Sequence, residues 1–267
     1  MSLRTKLGLV LVAAAAVTLV ACKAKDGTSS LSVAGSTSVQ PFMELLAEDY
    51  MAHQPGVKIQ VQGGGSTAGI QAVREHAAAI GMCSRELLPQ EKDLKSVVIA
   101  RDGIAVIVNP ANTLSGLTTA QVKDIFAGST SDFSAVGGGK SPVRAVTREE
   151  GSGTRGAFEE LVMAGTPIAS SALVQNSSGS VRAMVSRDPG AIGYISLGLV
   201  DDSVKALAID GVAAKRDNVK NGTYKLVRPF LLVYVGELQG TAKEFVDYIL
   251  GEPAQRLLEK EGLVAVK

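Results

Sequence analysis

From Leu31 onward, short apolar runs alternate with segments whose apolar residues recur at helical spacing. Extended runs begin at Leu31, Val57, Ala78 and Val97, and helical stretches lie between them, from Val39 to His53 and from Ala68 to Glu75. Such alternation predicts βαβ units and a parallel sheet covered on both faces, an α/β architecture. The run Ile104-Ala105-Val106-Ile107-Val108 is a further apolar strand, closed by the turn signal Asn109-Pro110. That turn marks a crossing into a second domain. Beyond it come a short helix near Thr119 to Phe126, a Gly137-Gly138-Gly139 loop, an apolar run from Val143 to Val146, and a helical stretch with Phe158, Leu161 and Val162. A strand follows at Gly190 to Ile195, entered from a turn. Phe230 to Val235 is a second crossing strand that returns the chain to the first domain, and helical segments after Thr241 complete it.

The start of the chain breaks this pattern. Arg4 and Lys6 precede an apolar run from Leu7 to Val20, which ends Leu19-Val20-Ala21-Cys22. Residues 1–21 are read as a signal peptide with a lipobox, so that Cys22 takes up lipid, palmitate included, and becomes the mature N-terminus. A transmembrane anchor is the competing reading, but a span needs about 20 apolar residues and this run is shorter. Residues 22–30, with the polar stretch Lys23 to Ser30 after the cysteine, form a flexible tether. The body then divides into lobe I, residues 31–107 plus 229–267, and lobe II, residues 108–228. Each lobe is long enough to bury a core. Two crossing strands make a hinge, with the ligand in the cleft.

Charge and cysteine content narrow the partners. Losing residues 1–21 removes Arg4 and Lys6, so 27 basic residues fall to 25 against 26 acidic ones. A chain so near neutrality has no basic field with which to hold a nucleic acid. With Cys22 lipidated, Cys83 has no partner, and its setting in Ala79-Ile80-Gly81-Met82-Cys83 predicts a buried thiol and no disulfide.

Three turns carry the candidate chemistry. They are Gly35-Ser36-Thr37-Ser38, Gly63-Gly64-Gly65-Ser66-Thr67 and Arg148-Glu149-Glu150-Gly151-Ser152-Gly153-Thr154-Arg155, each placed between an extended apolar segment and a helical one. A helix start presents unpaired N–H groups and the positive end of the dipole, and glycines let an anion approach the main chain. Ser and Thr hydroxyls add donors, and Arg148 adds a charged fork suited to a tetrahedral oxyanion. One such turn is an ordinary N-cap. Three turns of one chemistry, at the strand ends where open sheets place ligands, predict one shared ligand.

Enzyme chemistry finds less support. Gly139-Lys140-Ser141 matches the end of a P-loop, but Ser134 stands where its first glycine belongs and Pro142 where its helix should start. The only histidines, His53 and His76, each close a helical stretch, and no serine lies in a nucleophile elbow. Two histidines and one cysteine show no metal-ligand spacing. No catalytic residue, metal or cofactor is expected.

The segments VAGSTSVQP, GGGSTAGI, IGMCSREL, TREEGSGTR and DPGAIGYISLG, in this order after a lipobox, resemble the phosphate-binding proteins of Pst-type ABC importers. The resemblance covers nearly the whole mature chain, and GSGTR together with PGAIGY carries most of its specificity. It implies a two-lobed periplasmic-binding-protein type II fold and inorganic phosphate as ligand. It also implies an ABC permease and ATPase complex as partner, and an extracytoplasmic, lipid-anchored monomer.

By motif, the resemblance places phosphate-binding groups on Thr37, Ser38, Ser66, Ser84, Arg148, Ser152, Gly153 and Thr154. It gives Ser36, Arg85, Glu150 and Arg155 supporting places, with Glu150 as the acid that orients the arginine. One departure stands out: family members with Ala-Ser-Asp in the third turn put a carboxylate where Ser84 stands, and that carboxylate rejects proton-free sulfate. Arg85, next to it, either points into the cleft or pairs with Glu86 or another surface acid, the second being the expectation for a lone arginine. Sulfate or molybdate is the alternative ligand, and phosphate-ester hydrolysis the alternative from another class.

Overall fold

The computed structural model describes residues 29–266. The expected signal peptide, Cys22 and the tether as far as residue 28 lie outside the described residues. Strand β1 (Ser29–Gly35) begins two residues before Leu31, because Ser29 and Ser30 pair with Val57 and Lys58 of β2 (Val57–Gly63). Between them lies α1 (Gln40–His53), which starts with a proline in its first turn, where the missing N–H has no intrahelical role. Helix α2 (Ser66–Arg74) and strand β3 (Ile80–Cys83) follow.

The chain continues through β4 (Lys95–Val108), β5 (Gly116–Leu117), α3 (Thr119–Phe126) and β6 (Arg144–Arg148). Helix α4 (Gly153–Phe158) runs on into a π-helical turn, Glu159–Met163. Then come β7 (Leu173–Gln175), α5 (Ser178–Arg187), β8 (Ala191–Ser196), β9 (Lys205–Ala206), β10 (Ala208–Ile209) and α6 (Arg216–Lys220). Strand β11 (Val227–Tyr234) and helices α7 (Gly240–Ile249) and α8 (Glu252–Lys260) close the fold.

The main sheet has the order β2-β1-β3-β11-β4-β8-β6-β7, with β9 against β4, while β5 and β10 pair apart from it. It is mixed, where the alternation predicts parallel strands. β1, β2 and β3 are parallel, and so are β6, β7 and β8. β11 returns from the far side and inserts antiparallel between β3 and β4. The strands expected at Val97 and at Ile104 are one strand, because Arg101, Asp102 and Gly103 between them stay extended against β11.

β4 holds the halves together. Its residues up to Gly103 pair with β11, and from Ile104 onward it pairs with β8. The result is two α/β lobes joined where β4 and β11 cross. In both lobes the period of two along a strand serves both faces of the sheet. Ile104, Val106 and Val108 enter one core with Phe126, Phe158 and Tyr194, while Ala105 and Ile107 enter another with Val181 and Val185 of α5. In the first lobe Phe230 and Leu232 pack with α1, α7 and α8, and Leu231 and Val233 pack with Ile70 and Val73 of α2. Each fully buried side chain of this size contributes about 1.5–3 kcal/mol. The helices are thus held by the faces they cover.

Candidate oxyanion site between the lobes

The helix-initiating turns meet at the carboxyl ends of their strands. Ser36, Thr37 and Ser38 follow β1, Ser66 opens α2 after β2, and Ser84 follows β3. Arg148 ends β6, Gly153 and Thr154 open α4, and Ser178 opens α5 after β7. Gly64 and Gly65 both donate to the carbonyl of Gly35, at 2.8 and 3.0 Å, which knits the first two turns together.

The side chains form two buried sets, joined where the Ser38 N–H donates to Ser36 Oγ at 3.2 Å. Ser38 Oγ shares hydrogen bonds with Thr154 Oγ1 at 2.7 Å and with Ser178 Oγ at 2.8 Å. Ser36 Oγ donates to Ser84 Oγ at 2.8 Å, and Ser66 Oγ accepts the Ser84 N–H at 3.1 Å. All of these serines and Thr154 are buried, as is Arg148, at 1% exposure. Gly153 lets α4 come this close: a Cβ there would stand 2.1 Å from Ser66 Oγ and 2.6 Å from Ser84 Oγ.

Arg148 is the charge of the cluster. Its Nη1 donates to Ser178 Oγ at 3.2 Å and its Nη2 to Thr37 Oγ1 at 3.1 Å. Nη2 and Nε also donate to Glu149 Oε1 and Oε2, at 2.8 and 2.9 Å, and Nε reaches the Gln175 carbonyl at 3.2 Å. The orienting acid is therefore Glu149, and the expectation for Glu150 is corrected. Glu150 is exposed and lines a neighbouring cleft, because the chain turns outward after Glu149 toward Gly151, whose φ of 83° only glycine adopts easily.

The remaining expected residues sit around this centre. Ser152 caps α4, its Oγ accepting the Arg155 N–H at 3.3 Å, and it borders the cleft that Glu150 lines. Arg155 turns away from the hydroxyls. It donates to Glu159 Oε1 at 2.8 Å and to the carbonyl of Arg148 at 3.1 Å, so it braces the strand end from behind.

Arg85 meets Glu86 only at the main-chain carbonyl, where Nη1 donates at 2.9 Å, and its carboxylate partner is no surface acid. Its guanidinium grips Glu91 at 2.6 and 2.9 Å, buried because the single turn Pro89–Glu91 folds the acid back over it. It also donates to Thr67 Oγ1 at 3.3 Å. Burial pushes the Cys83 thiol up, so it stays protonated behind Ser84. Burial likewise pushes Tyr194, hydrogen-bonded to Thr147 beside Arg148, up to about 12.

Two openings flank the cluster. A cleft of about 680 Å³ lies on the Thr67, Ser152 and Arg155 side, and one of about 410 Å³ on the Thr37, Glu149 and Ser177 side. The hydroxyl cluster sits between them, closed by contacts across the lobes. Chemically it offers neutral donors around one guanidinium and, among the described residues, no group of His, Cys, Asp and Glu arranged to hold a metal. His53 and His76 are exposed.

Residues 23–253 match the PBP superfamily domain. The chain is 34% identical over 250 residues to the phosphate-binding protein PstS of Bacillus subtilis (strain 168), covering 91% of this chain and 82% of that protein. The chain belongs to the PstS family. It is also 31% identical over 274 residues to PstS of Pseudomonas aeruginosa, covering 91% of this chain and 84% of that one. A substrate-binding protein from Clostridium perfringens, whose crystal structure holds bound phosphate, superposes with a TM-score of 0.87 at 44% identity, over 90% of this chain and 100% of that one. An ABC-type phosphate transport receptor from Vibrio cholerae gives 0.73 at 37% identity, over 88% and 99%. With the family shown, the two lobes are those of its type II binding-protein fold.

Two residues of the network escape the sequence reading. Ser178 lies in Asn176-Ser177-Ser178-Gly179-Ser180, a fourth small hydroxyl turn before a helix, and that shared composition is the signal that finds it. Glu149 differs from Glu150 only by position, and no signal in the chain separates them.

Proposed function

We propose that this protein captures inorganic phosphate between its lobes and delivers it to an ABC permease and ATPase complex, acting as a binding protein and not as an enzyme. The observation that carries the reading is the buried cluster in which Arg148 meets the hydroxyls of Thr37 and Ser178, with Ser38 one hydrogen bond beyond Ser178 and Thr154 one beyond Ser38. A tetrahedral dianion needs many short donors and some positive charge, held away from water. Charge-assisted bonds from a guanidinium supply the strongest of these, and hydroxyls supply adaptable ones. Glu149 offsets part of the arginine's charge and keeps its fork aimed, which favours release as well as capture.

Membership of the PstS family supports phosphate as the ligand and an extracytoplasmic place of work. Lipid attachment at Cys22, tethering a monomer to a membrane, is the anchoring proposed. The moving units are lobe I, residues 31–107 plus 229–267, and lobe II, residues 108–228. The test is calorimetric titration of ligand-stripped protein with phosphate, sulfate and molybdate. One phosphate per chain, bound more tightly than the other two, is expected. Heat from sulfate or molybdate but none from phosphate would overturn the assignment.

A further inference from the structure

A buried ion pair reaches the site from the place where β4 changes partners. Asp102 on β4 and Arg228 on β11 stand opposite each other in the antiparallel ladder, with side chains 0% and 1% exposed. Arg228 Nε and Nη2 donate to Asp102 Oδ2 at 3.1 and 2.9 Å, and Nη1 donates to the main-chain carbonyl of Ser84 at 3.2 Å. The other oxygen of Asp102 accepts Ser196 Oγ at 2.9 Å. Ser196 ends β8 and pairs with Ile104, the first residue of β4 beyond the switch. One chain of hydrogen bonds therefore runs from the end of β8, through both crossing strands, to the backbone of Ser84. The hydroxyl of Ser84 lies in the oxyanion cluster.

Burial pushes Asp102 up and Arg228 down, each against its charged form. Such a pair adds little net stability compared with apolar residues of the same volume. Its planar fork does fix geometry, since one edge holds Asp102 and the remaining nitrogen holds a carbonyl. Phe230 packs beneath, with the guanidinium carbon 5.3 Å from its ring centre, and keeps the plane in place.

We propose that Asp102 and Arg228 are positioning residues for the oxyanion site. They hold the backbone of Ser84 so that its hydroxyl faces the ligand, and through Ser196 they tie that aim to the strand crossing. The inference rests on the phosphate-binding reading, and a double-mutant cycle separates the two. Phosphate affinity is measured by calorimetry for the wild type, R228K, S84A and the double variant. No binding by the wild type removes the reading itself, and this inference with it. If the wild type binds, R228K should weaken affinity about tenfold with Ser84 present and less than about twofold in the S84A background, since an effect exerted through that hydroxyl vanishes with it. A general loosening of the core would give equal losses in both backgrounds. Equal losses, or none in either, overturn the proposal. If R228K does not melt cooperatively, S196A, which leaves the ion pair in place, takes its part in the cycle. A loss of about threefold confined to the Ser84 background is then expected, and equal losses again overturn the proposal.

Discussion

Glu149 grips the guanidinium of Arg148 with both carboxylate oxygens, at 2.8 and 2.9 Å, although the two are neighbours in the chain. The acid holds the edge of the fork that faces away from Ser178, so the Nη1 side stays aimed at the hydroxyls. Arg148→Ala removes the charge and leaves a buried dianion on dipoles alone, at a loss of roughly 1.5–3 kcal/mol or more of phosphate affinity. Glu149→Gln keeps the charge and loosens its aim, with a smaller loss expected. Exposed Glu150→Gln should stay within about 0.5 kcal/mol of wild type. Titration of the three variants checks the order, and equal losses for Glu149→Gln and Glu150→Gln would return the orienting role to neither acid.

Ser178 is placed to matter as much as the hydroxyls that the sequence motifs single out. It meets both Ser38 and Arg148, and it is 1% exposed. Ser178→Ala should cost about 0.5–1.5 kcal/mol in phosphate binding, the worth of one hydrogen bond. Exposed Ser171→Ala serves as the control. An affinity for Ser178→Ala equal to that of the control would take Ser178 out of the site.

Much of this site is legible along the chain because a turn that opens a helix must satisfy local backbone demands, and small hydroxyl residues beside glycine do so wherever they stand. What stays hidden depends on residues far apart. Arg101-Asp102-Gly103 interrupts an apolar run and reads as a break between strands. It is a continuous strand because Arg228, 126 positions away, takes up the buried carboxylate. The buried pairing of Arg85 is hidden for the same kind of reason: whether Glu86 or Glu91 is its partner depends on how the Pro89–Glu91 turn folds back. The insertion of β11 between β3 and β4 leaves no trace in the period of either strand.

Closure should be measurable, because contacts between the halves run through the site as well as through the ion pair at the strand crossing. Ser38 meets Thr154 and Ser178, Thr37 meets Arg148, and the Thr67 N–H donates to the Gly151 carbonyl at 3.0 Å. A ligand bound to both sets of loops stabilises the closed arrangement by its differential affinity for it. Solution scattering should show a smaller radius of gyration at saturating phosphate than in stripped protein. An unchanged radius would mean that the site is preformed and rigid.

The Arg85 and Glu91 pair predicts an acid-sensitive element. Burial opposes the Glu91 charge, but hydrogen bonds from Arg85 and the Leu88 N–H outweigh it and hold the carboxyl below its ordinary value. A carboxyl depressed on folding stabilises the native state above its unfolded pKa, and that contribution is lost as pH falls through the folded value. Melting temperature should therefore drop below about pH 4 in the wild type, and Glu91→Gln should flatten that limb while lowering stability at neutrality. Parallel acid limbs in the two proteins would exclude Glu91 as the group that titrates.

Selectivity against sulfate turns on Ser84. Dibasic phosphate carries one proton and sulfate none, so strong preference for phosphate needs an acceptor that meets that proton and finds nothing on sulfate. A carboxylate does this with like-charge repulsion added, and a hydroxyl does it weakly, since it can turn and donate instead. Ser84 Oγ accepts from Ser36 Oγ at 2.8 Å and lies 3.5 Å from Ser66 Oγ, a long contact from which its own proton can turn to donate to an anion of either kind. The nearest acid of the cluster, Glu149, spends both oxygens on Arg148. Sulfate should thus compete measurably with bound phosphate in the wild type at neutral pH. Ser84→Asp should exclude sulfate more strongly, provided Ser36 and Ser66 turn to donate to the new carboxylate. Competition titrations of the two proteins at one pH decide the matter: if the wild type already rejects sulfate as well as the variant does, the discriminating acceptor lies elsewhere than position 84.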